Sequence, residues 1–185
     1  MSRVSVDLSA IKQLKEALAQ ANGEKLQVGW LSSANYTNDL PVAQVAFWQE
    51  FGTKSAPPRP FFRPAIADNE AKWATLVESG ANAVIEGRAS MSDVFNGLGL
   101  MAQADVKNAI TGPHEALSPV TLALRRLRNE GVEINGTLVG AVAAAIANGE
   151  TGTGQLGAPY GNTTPLNDSG MMIATLTYNV GEPEE

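Results

Sequence analysis

The chain has 185 residues, 44% of them hydrophobic, which is enough to bury a core without covalent staples. It has no cysteine, one histidine and a formal net charge of −6. These counts exclude a disulfide framework and a thiolate metal site. They leave His114 as the only partner for a nucleophile–histidine pair, and they argue against a broad basic face for nucleic acid.

No N-terminal run joins a basic flank to an apolar core, and no apolar run reaches the roughly 18 residues of a membrane span. The expectation is a soluble protein made in a cytoplasm, with no signal peptide and no membrane partner. Residues 7–21 predict a helix capped by Asp7 or Ser9, with Leu8, Ile11, Leu14 and Leu18 on one face and Asn22-Gly23 as its stop. Leu26–Leu31 alternates as a strand with Leu26, Val28 and Trp30 on one side.

Ser32–Leu40 is polar and turn-rich. Pro41 suits a helix first turn, and a helix to Phe51 places Val42, Val45, Ala46 and Gln49 along one face, with Phe47, Glu50 and Phe51 toward another. Gly52 is a natural stop. Pro57, Pro58 and Pro60 then forbid helix over Lys54–Arg63 and bias the backbone to extended geometry.

A long helix from Pro64 to about Arg88 is expected, weakened at Gly80 and Gly87. Ser92 or Asp93 caps another through Ile110, with Val94, Leu98, Met101, Ala102, Val106, Ala109 and Ile110 as its apolar stripe. Ser118-Pro119 opens a helix over Thr121–Asn129 that carries Arg125, Arg126 and Arg128.

Leu138–Ala147 predicts a short helix, and the glycines at 149, 152, 154, 157 and 161 an extended or mobile loop. Met172–Val180 alternates as a closing strand, and residues 181–185 form a loose acidic tail. The fold class is α+β: a small antiparallel sheet packed with several helices, plus a long proline-rich loop and a glycine-rich loop. One domain spans 1–185, with 132–164 as an insertion or extended loop.

Several short motifs have a plainer alternative. Asp168-Ser169-Gly170 matches an aspartic-protease tripeptide, yet there is no second copy to share a proton, so a tight turn is favoured. The glycines at 149–161 lack the strand, helix and Lys-Ser/Thr context of a phosphate cradle. His114, Glu115 and Asp105 form an acid–base set only if a cleft gathers them. Arg59 and Arg63 flank Phe61 and Phe62. Either this is an intersubunit anchor, or the phenylalanines are core and the arginines cap carbonyls. Arg125, Arg126 and Arg128 face a channel, an acidic partner or solvent. No cofactor and no metal site is expected.

Glu50-Phe51-Gly52-Thr53, followed by Pro57-Pro58-Arg59-Pro60-Phe61-Phe62-Arg63-Pro64, resembles a family of tailed-bacteriophage neck proteins, the head–tail joining and tail-completion proteins. The resemblance continues in order. Tyr36, Asn38 and Asp39 supply a polar turn, and Val45-Ala46 precede Glu50. Leu98-Gly99, Ser118-Pro119-Val120-Thr121 and Pro165-Leu166-Asn167-Asp168-Ser169-Gly170 follow. Ser169 stands where the family has threonine. Residues 132–160 are longer and more apolar than its short loop, which implies an added contact.

The resemblance implies a non-enzymatic virion protein, assembled in the host bacterial cytoplasm. It implies a homo-oligomeric ring, six-fold, around the DNA passage. Portal, adaptor or head-closure proteins would lie on one side, tail terminator or tail-tube proteins on the other, with non-specific proximity to packaged DNA. Phe51, Arg59, Phe61, Phe62 and Arg63 would dock a neighbour. A tail terminator or minor tail protein is the alternative within the same particle. A phage-encoded hydrolase is the alternative outside this class.

Overall fold

A computed structural model of the chain describes residues 25–54, 56–149, 165–166 and 168–181, together with Lys12, Lys15 and Ala19, which are helical. The rest of the expected 7–21 helix, the glycine-rich segment beyond Gly149 and the 182–185 tail lie outside the described residues. Among the described residues from Lys25 onward the architecture is α+β, with six helices and one two-stranded antiparallel sheet. The chain divides into two compact units, Met1–Ile110 with Ala174–Glu185, and Thr111–Ile173.

In the first unit, β1 (Lys25–Trp30) pairs antiparallel with β2 (Leu176–Gly181), in a register that sets Val28 against Tyr178 and Trp30 against Leu176. The alternation of β1 holds, since Lys25 and Gln27 are exposed while Leu26, Val28 and Trp30 are half-buried. Two strands alone are marginal in water, so the sheet needs helices against it.

Helix α1 runs Val42–Phe51 behind Pro41, and α2 runs Phe62–Ile85. Helix α3 runs Met91–Thr111. It supports β2 in two ways. Gln103 Nε2 donates to the Leu176 carbonyl at 2.6 Å, and the Tyr178 ring lies where a side chain at Gly99 would project.

Helices α2 and α3 are fastened at two places. Near the middle of α2, Trp73 Nε1 and Lys72 Nζ donate to the Asp105 carboxylate at 2.8 and 2.7 Å. Closer to its C-terminus Gly80 admits Val94, whose Cγ1 would lie 2.6 Å from a Cβ there. Gly80 therefore allows close packing and does not break the helix, which starts two residues before Pro64 and ends at Ile85. The expected cap of α3 also moves. Ser90 is the capping residue: its hydroxyl accepts from the Asp93 amide at 3.1 Å, and the Asp93 carboxylate accepts from the Ser90 amide at 2.9 Å. This reciprocal pair satisfies two free amides and needs the carboxylate three residues inside the helix, so Asp93 is the partner of the cap.

In the second unit, α4 (Pro119–Asn129) opens on Ser118, whose hydroxyl accepts from the Thr121 amide, as the Ser-Pro pair predicts. Helix α5 (Gly136–Ala147) opens on Asn135 and packs on α4, with Ala123 and Val142 buried. The segment expected as a strand from Met172 is helical at first: α6 covers Met171–Thr175, and strand begins only at Leu176. Gly170, at φ 77°, turns the chain, and the Ile173 amide donates to its carbonyl at 3.1 Å. A short apolar run cannot separate strand from helix by periodicity, and Met and Ala favour helix.

Gly99→Ala should force the new methyl into the Tyr178 ring and move β2 away from α3. The expected loss is about 1–3 kcal/mol, seen as a thermal midpoint lower by about 3–10 °C. An unchanged midpoint in thermal unfolding contradicts this close approach.

Candidate functional site

A helix leaves its first amides without backbone partners, and a carboxylate is the best acceptor for them because the helix dipole also favours negative charge there. For α2 that carboxylate comes from the last turn of α1. Glu50 Oε2 accepts from the amides of Phe61 at 2.8 Å and Phe62 at 2.9 Å. Its Oε1 accepts from the Arg63 amide at 3.2 Å and from Arg63 Nε at 2.8 Å. Arg63 Nη2 also reaches the Glu50 carbonyl at 3.4 Å.

Glu50 is 5% exposed, the one buried charged side chain among the described residues. Burial pushes its carboxyl pKa up. The Arg63 guanidinium and the three amides outweigh burial and hold the pKa below the ordinary value.

The loop between the two helices is shaped to bring those groups together. Gly52 sits at φ 78°, and a Cβ there would meet the Pro58 nitrogen at 2.9 Å and the Ala56 carbonyl at 3.0 Å. Only glycine meets both demands. The Thr53 amide donates to the Ala56 carbonyl at 2.9 Å, and Thr53 Oγ1 accepts from the Ala56 amide at 3.1 Å. The Arg59 amide then donates to the Gln49 carbonyl at 2.7 Å, tying the proline segment back to α1. Glu50, Gly52 and Thr53 of the first motif and Pro58, Arg59 and Phe61 of the second thus each help to close the loop onto the cap.

The aromatic rings divide into two sets. Phe61 is 1% exposed and meets the Trp30 ring edge-on at 6.2 Å, with Phe62 beside both. Phe61 was expected at a docking surface; it is a core residue, because the cap draws its backbone inward. Phe47, Trp48 and Phe51 stay at the surface of α1, at 55, 40 and 52% exposed. The Phe47 and Phe51 rings are 4.7 Å apart, and the Arg63 guanidinium stands 4.8 Å from the centre of the Phe51 ring.

A shallow groove of about 240 Å³ runs between Trp30, Phe47, Phe51, Phe62 and Arg63, with Glu50 at its floor. The expected grouping of Glu50 with Phe47 and Phe51 holds in that the three line this groove, but Glu50 is buried where the two rings are exposed. Glu50 joins Val42 and Ala46 on the buried face, because its four donors replace the water it gives up.

The remaining candidates are committed elsewhere. Arg125 Nη2 donates to the Pro165 carbonyl at 2.9 Å, Arg125 and Arg128 pair with Asp168, and Arg126 pairs with Glu130 at 2.8 Å. Asp168 is thus a clamp for α4, and the Asp-Ser-Gly tripeptide is a bend. Asp105 serves Trp73 and Lys72, and His114 is half-buried. Among the described residues no three His, Cys, Asp or Glu side chains converge as metal ligands.

A larger open hollow of about 400 Å³ lies over the sheet beside Gln27, Gly29, Thr177 and Asn179, with no carboxylate or imidazole in its lining. Sequence reasoning missed Glu50, whose partners lie 11–13 residues ahead. The available signal was a carboxylate just before a glycine stop, followed by a helix start with no Ser, Thr, Asp or Asn at its cap. Comparison with family models, curated proteins and solved structures gives no match for this chain.

Glu50→Gln should remove the charge, leave Arg63 without its partner and lower stability by about 2–3 kcal/mol. The sign of the pH effect follows from the lowered pKa. The carboxylate's stabilisation is complete above its ordinary value of 4.5 and is lost as pH falls through the lower folded value. Thermal unfolding of the wild type should show that acid step and Glu50→Gln should lack it. Equal acid profiles contradict the cap.

Proposed function

We propose that this protein is a structural component of a tailed-phage virion, forming a ring in the neck that joins the DNA-filled head to the tail. The observation that carries this reading is the exposed Phe47–Trp48–Phe51 face, braced on a capped loop. Aromatic rings with an adjacent arginine are the composition of interface hot spots. A braced loop loses less conformational entropy on docking than a free one. The brace and Phe51 fall on the Glu50–Pro64 motif that carries the resemblance to neck proteins, with Phe47 and Trp48 just ahead of it.

The acidic balance of −6 supports the same reading, since a passage lined by acidic subunits lets DNA slide past without adhering. No helix among the described residues is long and apolar enough to cross a membrane. The proposed partners are further copies of the chain, the portal or head-closure proteins above and the tail terminator or tail tube below.

Electron microscopy of a phage lysate with this gene disabled tests the proposal. The expected result is filled heads beside separate tails of normal length. Tails of uncontrolled length replace the neck position with a terminator role. Joined, intact virions that fail only at lysis overturn the proposal.

A further inference from the structure

The aromatic face needs a seat, and the same unit carries a surface of matching chemistry. Helix α2 is 24 residues long, and only Ala65 and Val84 in it are fully buried. On its outward side Ala67, Ala71 and Ala74 are exposed and low, with Glu70 and Glu78 beside them. Neither glutamate forms an ion pair among the described residues.

The charges flanking the aromatic face have the opposite sign. Lys54 is exposed and has no partner among the described residues. The Arg59 guanidinium makes no hydrogen bond among them, with its Nε buried and unsatisfied. One unit therefore bears an aromatic, cationic surface and a separate flat, anionic one. At 1.5 Å per residue, Glu70 and Glu78 lie about 10 and 22 Å along α2 from Arg63, and within one copy neither pairs with Lys54 or Arg59.

We infer that the Phe47–Trp48–Phe51 face of one copy docks on the outer side of α2 of the next copy, with Lys54 and Arg59 facing Glu70 and Glu78. Two different surfaces meeting in this way make a head-to-tail contact, which repeats from copy to copy and closes into a ring when the rotation permits. A two-fold contact of the aromatic face with itself would set like charges together. The inference rests on the ring of the proposed function for its closure and gives that ring a named interface.

The chain has no cysteine, so cross-linking can be directed. Purified full-length protein carrying both Lys54→Cys and Glu70→Cys, treated with a short bismaleimide, should give a ladder beyond the dimer. Each single variant alone should give none, and their mixture dimers only. In sedimentation velocity, Glu70→Lys with Glu78→Lys should weaken self-association about tenfold or more. Adding Lys54→Glu should restore part of it, while the melting point stays in place throughout.

A protein that stays monomeric at its highest soluble concentration overturns the inference. So does a double-cysteine variant that stops at dimers, or an association indifferent to the charge swap. These failures are separable from failure of the neck reading. A ladder from a protein whose gene is dispensable for joined virions keeps the contact and removes the neck role. A required gene with a monomeric product removes the contact alone.

Discussion

One carboxylate sets the geometry of the first unit. Glu50 lies at the end of α1 and receives the first amides of α2, so the two helices meet at a defined angle through a buried charge. A buried carboxylate without partners would cost several kcal/mol. Here its oxygens accept from three amides and a guanidinium, and those donors exist only if the intervening loop closes as it does. The Gly52 turn, the Thr53–Ala56 hydrogen bonds and the Arg59–Gln49 bond therefore act as one unit with the cap. Phe61 is pulled under Trp30 as a consequence, and Phe47 and Phe51 are left outside.

Much of the fold was legible in the sequence, and the parts that were not share a physical cause. Local signals worked where the interaction is local. Ser118-Pro119 gave a helix start, the alternation of Leu26, Val28 and Trp30 gave β1, and the prolines at 57, 58 and 60 gave a non-helical loop. Failures arose where the decisive partner is distant. Glu50 looked like a polar residue on a helix flank, since nothing within one turn of it reveals the amides of Phe61 and Phe62. Met172–Thr175 belongs to the stretch expected as strand, yet after the turn at Gly170 it is helical, and β2 pairs with β1 only from Leu176. Gly80 reads as a weak point and Gly99 only as part of a motif; each marks a close approach, to Val94 and to Tyr178.

The candidate site was legible by half. The motif was found, and its aromatics and arginines were singled out, but their division into core and surface depends on which way the cap turns them. Phe61 and Phe51 look equivalent in sequence and end at 1% and 52% exposed. Arg63 is shared between the two sides: its Nε completes the cap while its guanidinium stands over the Phe51 ring. The internal cap and the external face are therefore mechanically linked. A change that loosens Glu50 releases the phenylalanine that a partner would meet. Arg125 and Arg128 play the corresponding internal role in the second unit, holding Asp168 against α4.

The Glu50 carboxylate holds the start of α2 and, through it, the aromatic face. The most direct measurement is amide hydrogen exchange at Phe61, Phe62 and Arg63 in the native protein. These three amides should be protected nearly as strongly as the interior of α2, although amides at an uncapped helix start exchange readily. Their protection should fall together when Glu50 is neutralised by acid. Exchange at the rate of an unstructured chain, or protection that persists unchanged once the carboxylate is protonated, would contradict it.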